Sequence, residues 1–236
     1  MGSARAGTVA ALWRYPVKSM GGEPCERLDL DARGVRGDRL FSISNAEGKF
    51  GSGKSTRRFR KIDGLLAFDA SYAGETPAIT FPDGRRLAGD DPAIHDALSH
   101  ALGQPVTLAR EAEISHLDAA PVHLVTTAAM RWLGSTLPAS SIDARRFRPN
   151  LVIDAPGEAQ VERDWIGAVL RIGSTTLRVL EPTERCVMVG MPQAGLPDDP
   201  GILTALGRET GAEFGVYAAV VTAGTIARHD AVVVER

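Results

Sequence analysis

Apolar residues in this chain come in short runs, many alternating with polar ones and most bounded by glycine, proline or aspartate. That is the pattern of many short strands closed into a barrel or stacked as a sandwich. It predicts strands over Thr8–Tyr15, Arg39–Ser44, Leu65–Tyr72 and Ala78–Phe81, then Arg85–Leu87 across an Asp83-Gly84 turn. In the second half it predicts His123–Val125, Leu151–Ile153, Val169–Ile172, Thr175–Leu180, Phe214–Thr222 and Ala231–Val234, with Gly173-Ser174 and Ala223-Gly224 as punctuation. Helical periodicity is sparse. The clearest case is Pro92–Leu102, where Asp91 can cap, Pro92 suits the first helical position and Gly103 suits the residue just past the end. Thr127–Leu133 and Pro200–Glu209 are expected as two more helices. The expected fold is mainly β with few helices, in two β-rich halves joined through Gly103–Ala120.

Composition narrows the classes. A length of 236 residues allows one large domain or two small ones. With a net charge of −2 and 24% charged residues, no general affinity for polyanions follows, so no nucleic-acid partner is expected. Only four of the 27 basic residues are lysines, namely Lys18, Lys49, Lys54 and Lys61, a bias that genomic base composition explains. No apolar stretch is long enough to cross a bilayer, and the N-terminus lacks the apolar core of a signal peptide. A soluble, cytoplasmic protein with no membrane partner is therefore expected. The two cysteines, Cys25 and Cys186, are too few and too far apart for a disulfide scaffold or a four-cysteine metal or cluster site. The histidines show no metal-ligand spacing.

One segment imitates a nucleotide site. Gly48-Lys49-Phe50-Gly51-Ser52-Gly53-Lys54-Ser55 has the G-x-x-x-x-G-K-[ST] spacing, and Leu151-Val152-Ile153-Asp154 resembles the apolar run ending in an aspartate that would hold magnesium. The flanks do not fit. The preceding strand alternates like a half-exposed antiparallel strand, and Thr-Arg-Arg-Phe-Arg-Lys follows, setting positive charge against the dipole of any helix there. A basic, glycine-rich hairpin loop near an anion is the expected reading, with Arg57, Arg58, Arg60 and Lys61 in solvent.

The candidate chemistry converges on Cys186. It follows Arg185 at the end of a strongly apolar strand pattern, and neighbouring positive charge favours the thiolate, the form that attacks electrophiles and binds metals. Three other segments sit where strands begin or end, the place from which barrel loops meet a ligand. Tyr15-Pro16-Val17-Lys18-Ser19 ends a strand with an ammonium and a hydroxyl, Gly37-Asp38-Arg39 opens one with a guanidinium, and Arg146-Phe147-Arg148-Pro149-Asn150 precedes Leu151–Ile153. Together they offer donors to an anionic, phosphate-bearing, amide-rich ligand and one thiolate to a soft centre.

In that order the segments YPVKS, GDR, RFRPN and RC, followed by Phe214-Gly215-Val216-Tyr217 and Gly224-Thr225-Ile226, resemble the MOSC family. This is the molybdenum cofactor sulfurase C-terminal domain group, here with its N-terminal β-barrel region, and the likeness runs from about Thr8 to Val234. The resemblance implies a β-rich N-terminal domain over residues 7–110 and a β-barrel MOSC domain over 115–235. It also implies a molybdopterin-type molybdenum cofactor whose own dithiolene holds the metal, with Cys186 as protein thiolate ligand and catalytic residue. By similarity to the amidoxime-reducing members, Lys18, Ser19, Arg39, Arg148, Asn150 and Arg185 would hold phosphate and pterin. Thr126 and Thr127 fall where that family places hydroxyl contacts.

The function so implied is reduction of N-hydroxylated small molecules, with electrons from a separate electron-transfer protein and a proton from Asp154, Glu184 or water. Two other classes stay open: a sulfur carrier or carbon–sulfur-cleaving protein using a Cys186 persulfide without metal, and a non-catalytic cofactor carrier. The run Val189-Gly190-Met191-Pro192-Gln193-Ala194-Gly195 departs from the T-T-V-D-P-x-T-G run of many relatives, so substrate identity is not carried over. No fused ferredoxin-like domain is expected, since the chain has neither the length after Val234 nor the cysteines.

Overall fold

The strand Ser3–Arg14 organises the molecule. In the computed structural model, which describes residues 2–236, it pairs antiparallel with Ala231–Glu235 on one side and with Leu151–Asp154 on the other. Those two pairings close a seven-stranded barrel. Starting at Leu151–Asp154, the order is Val122–Thr126, Glu213–Thr222, Thr175–Glu184, Val169–Ile172, Ala231–Glu235 and back to Ser3–Arg14. Val122–Thr126 and Leu151–Asp154 run parallel, which requires a crossover, and the helix Thr127–Thr136 lies within it. Closure removes the free edges that an open sheet would expose. Alternate residues such as Val9, Leu124, Ile153, Leu170, Leu177 and Val216 point inward and pack as one core.

A second body fills the space beside one end of the barrel. Val106–Arg110, Phe41–Asn45, Phe50–Ser52 and Phe59–Lys61 form one sheet, and Asp69–Tyr72, Pro77–Thr80 and Arg86–Ala88 another. With the helix Ile94–Leu102 they share a core that includes Val17, Ile43, Phe68, Ile79 and Leu98. The chain enters this lobe straight from the first barrel strand: the Lys18 amide donates to the Phe41 carbonyl at 2.8 Å, and the Gly21 amide to the Phe68 carbonyl at 2.7 Å. It also returns, because Arg27–Asp31 pairs with Gly224–Ala227. The division expected at residues 110–115 therefore cuts the sequence but not the sheets, since Ser3–Arg14 is a stave of the C-terminal barrel.

The fold is mainly β, as the alternation predicts, with α-helices at Ile94–Leu102, Thr127–Thr136 and Gly201–Thr210. Four local differences have physical causes. Leu65–Tyr72 is not one strand: after the left-handed Gly64 (φ 85°), Leu65–Ala67 forms a 3-10 turn that buries Leu65 and Leu66, and the strand starts at Asp69. The first helix begins at Ile94, so the Asp91 carboxylate accepts from the Ala93 amide at 2.8 Å ahead of the helix instead of capping it. Gly103 does end that helix, with φ 66° and its amide donating to His100 and Ser99 carbonyls. Val106–Arg110, expected within the join, pairs with Phe41–Asn45 along its whole length. In the nucleotide-like segment, Phe50–Ser52 and Phe59–Lys61 are short parallel strands with a turn between them, and no helix follows to receive a phosphate.

Candidate functional site

Where the barrel end, the lobe and residues 111–121 meet, they enclose a cavity of about 530 Å³. Lys18, Ser19, Arg39, Arg148, Asn150, Arg185 and Cys186 all line it. Ser19 (φ 65°), Arg39 (φ 50°) and Arg148 (φ 54°) hold left-handed backbone, which costs a non-glycine residue roughly 1–2 kcal/mol. Three such residues on one cavity wall mean that the surrounding packing over-determines this shape, as at built sites.

Tyr15 is the post around which that wall is assembled. Its ring is buried, with the Arg148 guanidinium carbon 4.3 Å and the Arg39 carbon 5.0 Å from the ring centroid. Burial pushes its phenol pKa upward, so it stays a neutral platform. The Tyr15 amide donates to Asp38 Oδ1 at 2.8 Å, and the other Asp38 oxygen takes Arg39 Nη1. Arg39 Nη2 donates to the Arg148 carbonyl at 3.1 Å, so this arginine is committed to the frame. Burial opposes its charge, but the Asp38 and Asp118 carboxylates together outweigh burial and hold it protonated. Arg148 differs: Nη1 reaches the Met20 carbonyl, while the enclosed Nη2 has no partner. Desolvation, then Arg39, brings its pKa down to about 10.

The opposite wall comes from the long strand Thr175–Glu184. Its register against Glu213–Thr222 shifts between Val179 and Glu181 and again between Pro182 and Glu184. Such bulges bend a strand, and here they turn its end so that Glu184, Arg185 and Cys186 reach the cavity. Arg185 donates from Nη2 to the Phe147 carbonyl at 2.8 Å and from Nη1 toward His123 Nε2 at 3.4 Å, leaving Nε buried without an acceptor. An arginine only donates, so His123 Nε2 accepts and the imidazole is neutral. Burial first, then Arg185, presses the His123 pKa well below its usual value. Gly215 (φ 76°) permits this crossing, since a Cβ there would lie 2.7 Å from His123 Nε2. Cys186 is half-buried and precedes the 3-10 turn Val187–Val189.

Lys18 is buried, donating to the His116 carbonyl at 2.9 Å and to Asp118 Oδ1 at 2.6 Å, above the Phe59 ring at 4.8 Å. Desolvation lowers its pKa and the Asp118 carboxylate opposes that shift. Asp118 in turn titrates at about 2: burial alone would raise it, and Lys18 with Arg39 more than reverses that. Ser19 Oγ donates to the Gly51 carbonyl at 3.0 Å. Asn150 joins its neighbours, Oδ1 accepting from the His123 amide at 3.2 Å and Nδ2 donating to the Trp13 carbonyl at 3.3 Å.

Thr126 and Thr127 require a correction, because neither lines the cavity. Thr126 Oγ1 caps the helix Thr127–Thr136 by accepting from the Ala129 amide at 3.0 Å, and it donates to Glu162 Oε2 at 2.6 Å. Thr127 Oγ1 donates to Asp154 Oδ1 at 2.8 Å. The parallel crossover begins here and turns both hydroxyls toward its own packing. Asp154 goes with them and is not a cavity residue, whereas Glu184 is. Asp118, Tyr217, Ser52 and Lys54 also line the cavity without having been singled out as contacts in the sequence. Asp118 lies in the join and carries no motif, while Ser52 and Lys54 belong to the basic glycine-rich loop already expected near an anion.

Fold and site together define a class: a closed β-barrel with a β-rich lobe whose shared cavity offers cations and one thiol to an anionic ligand. The chain belongs to the MOSC family: the MOSC domain matches residues 99–233 and the MOSC N-terminal beta barrel domain matches residues 6–88. Mitochondrial amidoxime-reducing component 1 of Mus musculus is 26% identical over 239 residues, covering 82% of this chain and 68% of its own length. The Homo sapiens protein of the same name is 26% identical over 235 residues, covering 81% and 68%. The solved YUAD protein from Bacillus subtilis shares the fold, with a TM-score of 0.57 at 15% identity over 99% of this chain and 97% of its own. Among the described residues, no helix is long and apolar enough to cross a membrane.

Proposed function

We propose that this chain binds a molybdopterin-type molybdenum cofactor in the cavity and serves reduction of N-hydroxylated small molecules, with electrons from a separate protein. The observation that carries the reading is a pair of enclosed guanidinium nitrogens without a partner, Arg148 Nη2 and Arg185 Nε, on arginines that line the same cavity as Cys186. A buried donor left unmade costs about 1–3 kcal/mol, and the oxygens of a phosphate or the acceptors of a pterin would remove that cost. The volume suits a ligand of this size. Among the described residues no group of three His, Cys, Asp or Glu side chains could hold a bare metal ion, whereas a single thiol suits a metal arriving with sulfur ligands of its own. The names of the relatives, which specify amidoxime reduction, support the reaction class.

When bound, the cofactor would supply two-electron oxygen-transfer chemistry at molybdenum, and Cys186 would be its protein ligand. Arg148, Arg185 and the remaining hydrogen of Lys18 would hold the anionic and pterin groups. Arg39, Ser19 and Asn150, whose donors are engaged within the protein, fix the wall that presents them. Reduction of an N–OH to an N–H takes two electrons and two protons and releases one water. Of the two carboxyls the sequence offers as proton donors, Glu184 lines the cavity and Asp154 does not, so Glu184 is the one placed to hand over a proton.

The test is to purify the protein from a host that makes the cofactor and to measure molybdenum and pterin in wild type and Cys186→Ser. Near-stoichiometric metal in wild type, falling about tenfold or more in the variant, is the expected result. Metal retained by the serine variant would sink thiolate ligation. Wild type without molybdenum but with cyanolysable sulfur would identify a sulfur carrier, and cofactor without turnover of hydroxylamines or amidoximes a carrier of the cofactor.

A further inference from the structure

We propose that the basic loop segment over residues 49–61 is the docking surface for an acidic electron-transfer protein that seats across the mouth of the cavity. The proposal rests on the reductase reading above and adds to it where the electrons enter. From Gly48 to Ile62 there is no acidic residue, while six basic ones occur, in a chain of net charge −2. Three of the four lysines in the whole chain lie here, and the fourth is Lys18 in the cavity. Lysine is a strongly hydrated point charge, suited to an encounter that forms and breaks more than to a buried pair.

The position matters as much as the charge. Lys54, Arg57, Arg60 and Lys61 are exposed, and Lys54 and Arg57 make no ion pair among the described residues. The nearest acids to Arg60 and Lys61, at 3.9 Å on Glu47 and 3.1 Å on Asp63, form surface pairs that neutralise little. Part of this loop segment belongs to the site: Lys54 and Phe59 line the cavity. A Cβ on Gly53 would sit 2.7 Å from Met188 Cγ and 2.8 Å from Met191 Sδ, so this turn is pressed onto the segment just after Cys186. Arg58 turns inward and donates to the Leu117 carbonyl at 3.1 Å, tying the loop to residues 111–121. Ile114, 62% exposed, lies on that tied segment, and Val187, 50% exposed, adjoins Cys186. A basic rim with a few apolar side chains is the anatomy of a transient redox interface, small and sensitive to salt.

The chemistry asks for such a partner. Each reduction consumes two electrons, so a one-electron iron–sulfur carrier must dock twice, being oxidised by one electron each time and released between visits. The test uses oxidised plant-type [2Fe–2S] ferredoxin as the acidic probe, titrated calorimetrically against the cofactor-loaded chain. Arg57→Glu/Arg60→Glu should weaken binding about tenfold at low salt and flatten its salt dependence. A matched reversal, Arg171→Glu on the strand Val169–Ile172 with Arg178→Glu on the adjoining strand Thr175–Glu184, touches exposed residues that do not line the cavity and should change neither. Equal binding by the loop variant, equal loss in the matched control, or equally tight binding of single-stranded DNA at the loop would each overturn the proposal. Molybdenum content is read on the same samples. Wild type lacking metal defeats the reductase reading, while metal retained with unaltered ferredoxin binding in the loop variant defeats only the docking surface.

Discussion

Arg146 and Arg148 stand two residues apart, both line the cavity, and mark two differently finished regions of its wall. Arg146, 1% exposed, marks the region whose donors turn back into the protein. Its Nε donates to the Ser141 carbonyl at 3.1 Å, Nη1 to Val189 at 3.4 Å and Nη2 to Pro197 at 2.8 Å. It thereby clamps the two ends of the segment that follows Cys186. Arg148 faces the cavity, stacks on Tyr15 and keeps an enclosed nitrogen without an acceptor. One region is completed by the protein, the other is not. A buried guanidinium whose donors all meet backbone carbonyls is part of the structure, whereas one with a donor left over is prepared for something that is not protein.

The sharpest way to break this contrast is to remove each side chain in turn. Arg146→Met leaves three carbonyls without their charged donor and should destabilise the fold by about 4 kcal/mol, read as a shift in the urea midpoint. Arg148→Met removes a cation from beside Arg39 and loses one carbonyl contact, so stability should change by no more than about 1 kcal/mol. Its effect falls on the ligand instead, with molybdenum and pterin content dropping about tenfold. If both variants lost the same stability and kept the same cofactor, the two regions would not differ in the way the hydrogen bonds indicate.

A third buried polar group tests whether every incomplete site is a receptor. Glu162 is fully buried, takes the Thr126 hydroxyl on Oε2 and leaves Oε1 unpartnered, yet it lies outside the cavity. Desolvation raises its pKa to about 7, only partly countered by the Thr126 hydrogen bond. A carboxyl whose folded pKa lies above its unfolded value binds more protons when folded. Its contribution is therefore whole below about pH 4.5 and is lost as pH rises through 7. The loss amounts to about 3 kcal/mol between pH 4 and pH 8. Glu162→Gln should remove that pH dependence, leaving the variant the more stable form at pH 8 in urea titrations, with cofactor content unchanged. An unpartnered oxygen is thus satisfied here by a proton, and in the cavity by a ligand.

What the sequence allowed to be read follows from how local each cause is. Val169–Ile172 and the long strands at Thr175–Glu184 and Glu213–Thr222 announce themselves by alternation, and Gly103 ends its helix through a conformation that glycine favours. Gly224–Ala227 carries no such signal, and although Arg27–Asp31 alternates, its pairing with Gly224–Ala227 across nearly the whole chain is set by packing that the sequence does not display. The gathering of Lys18, Arg39, Arg148, Arg185 and Cys186 could be anticipated because each ends or begins a strand. Their division into committed and uncommitted donors could not, since it depends on which carbonyls three-dimensional packing brings near. Arg146 and Arg148 look alike in the sequence for that reason, and so do the threonines that turned out to face the crossover helix.

Those threonines give the smallest effect and the finest test. Thr126→Val removes the oxygen that caps the Ala129 amide, a loss of about 1 kcal/mol, while keeping the β-branched shape of a buried strand end. It also removes the hydroxyl that donates to Glu162 Oε2. That bond favours the carboxylate, so its absence lifts the Glu162 pKa further and makes ionisation harder. The variant should therefore lose about 1 kcal/mol at pH 5, where Glu162 is largely protonated in the folded state, and more at pH 8, where it must ionise without that support. Cofactor content should equal that of wild type, because neither the hydroxyl nor its partner reaches the cavity. Molybdenum lost together with this hydroxyl would restore Thr126 to the role the family resemblance implies and would move the boundary between the closed region and the open one.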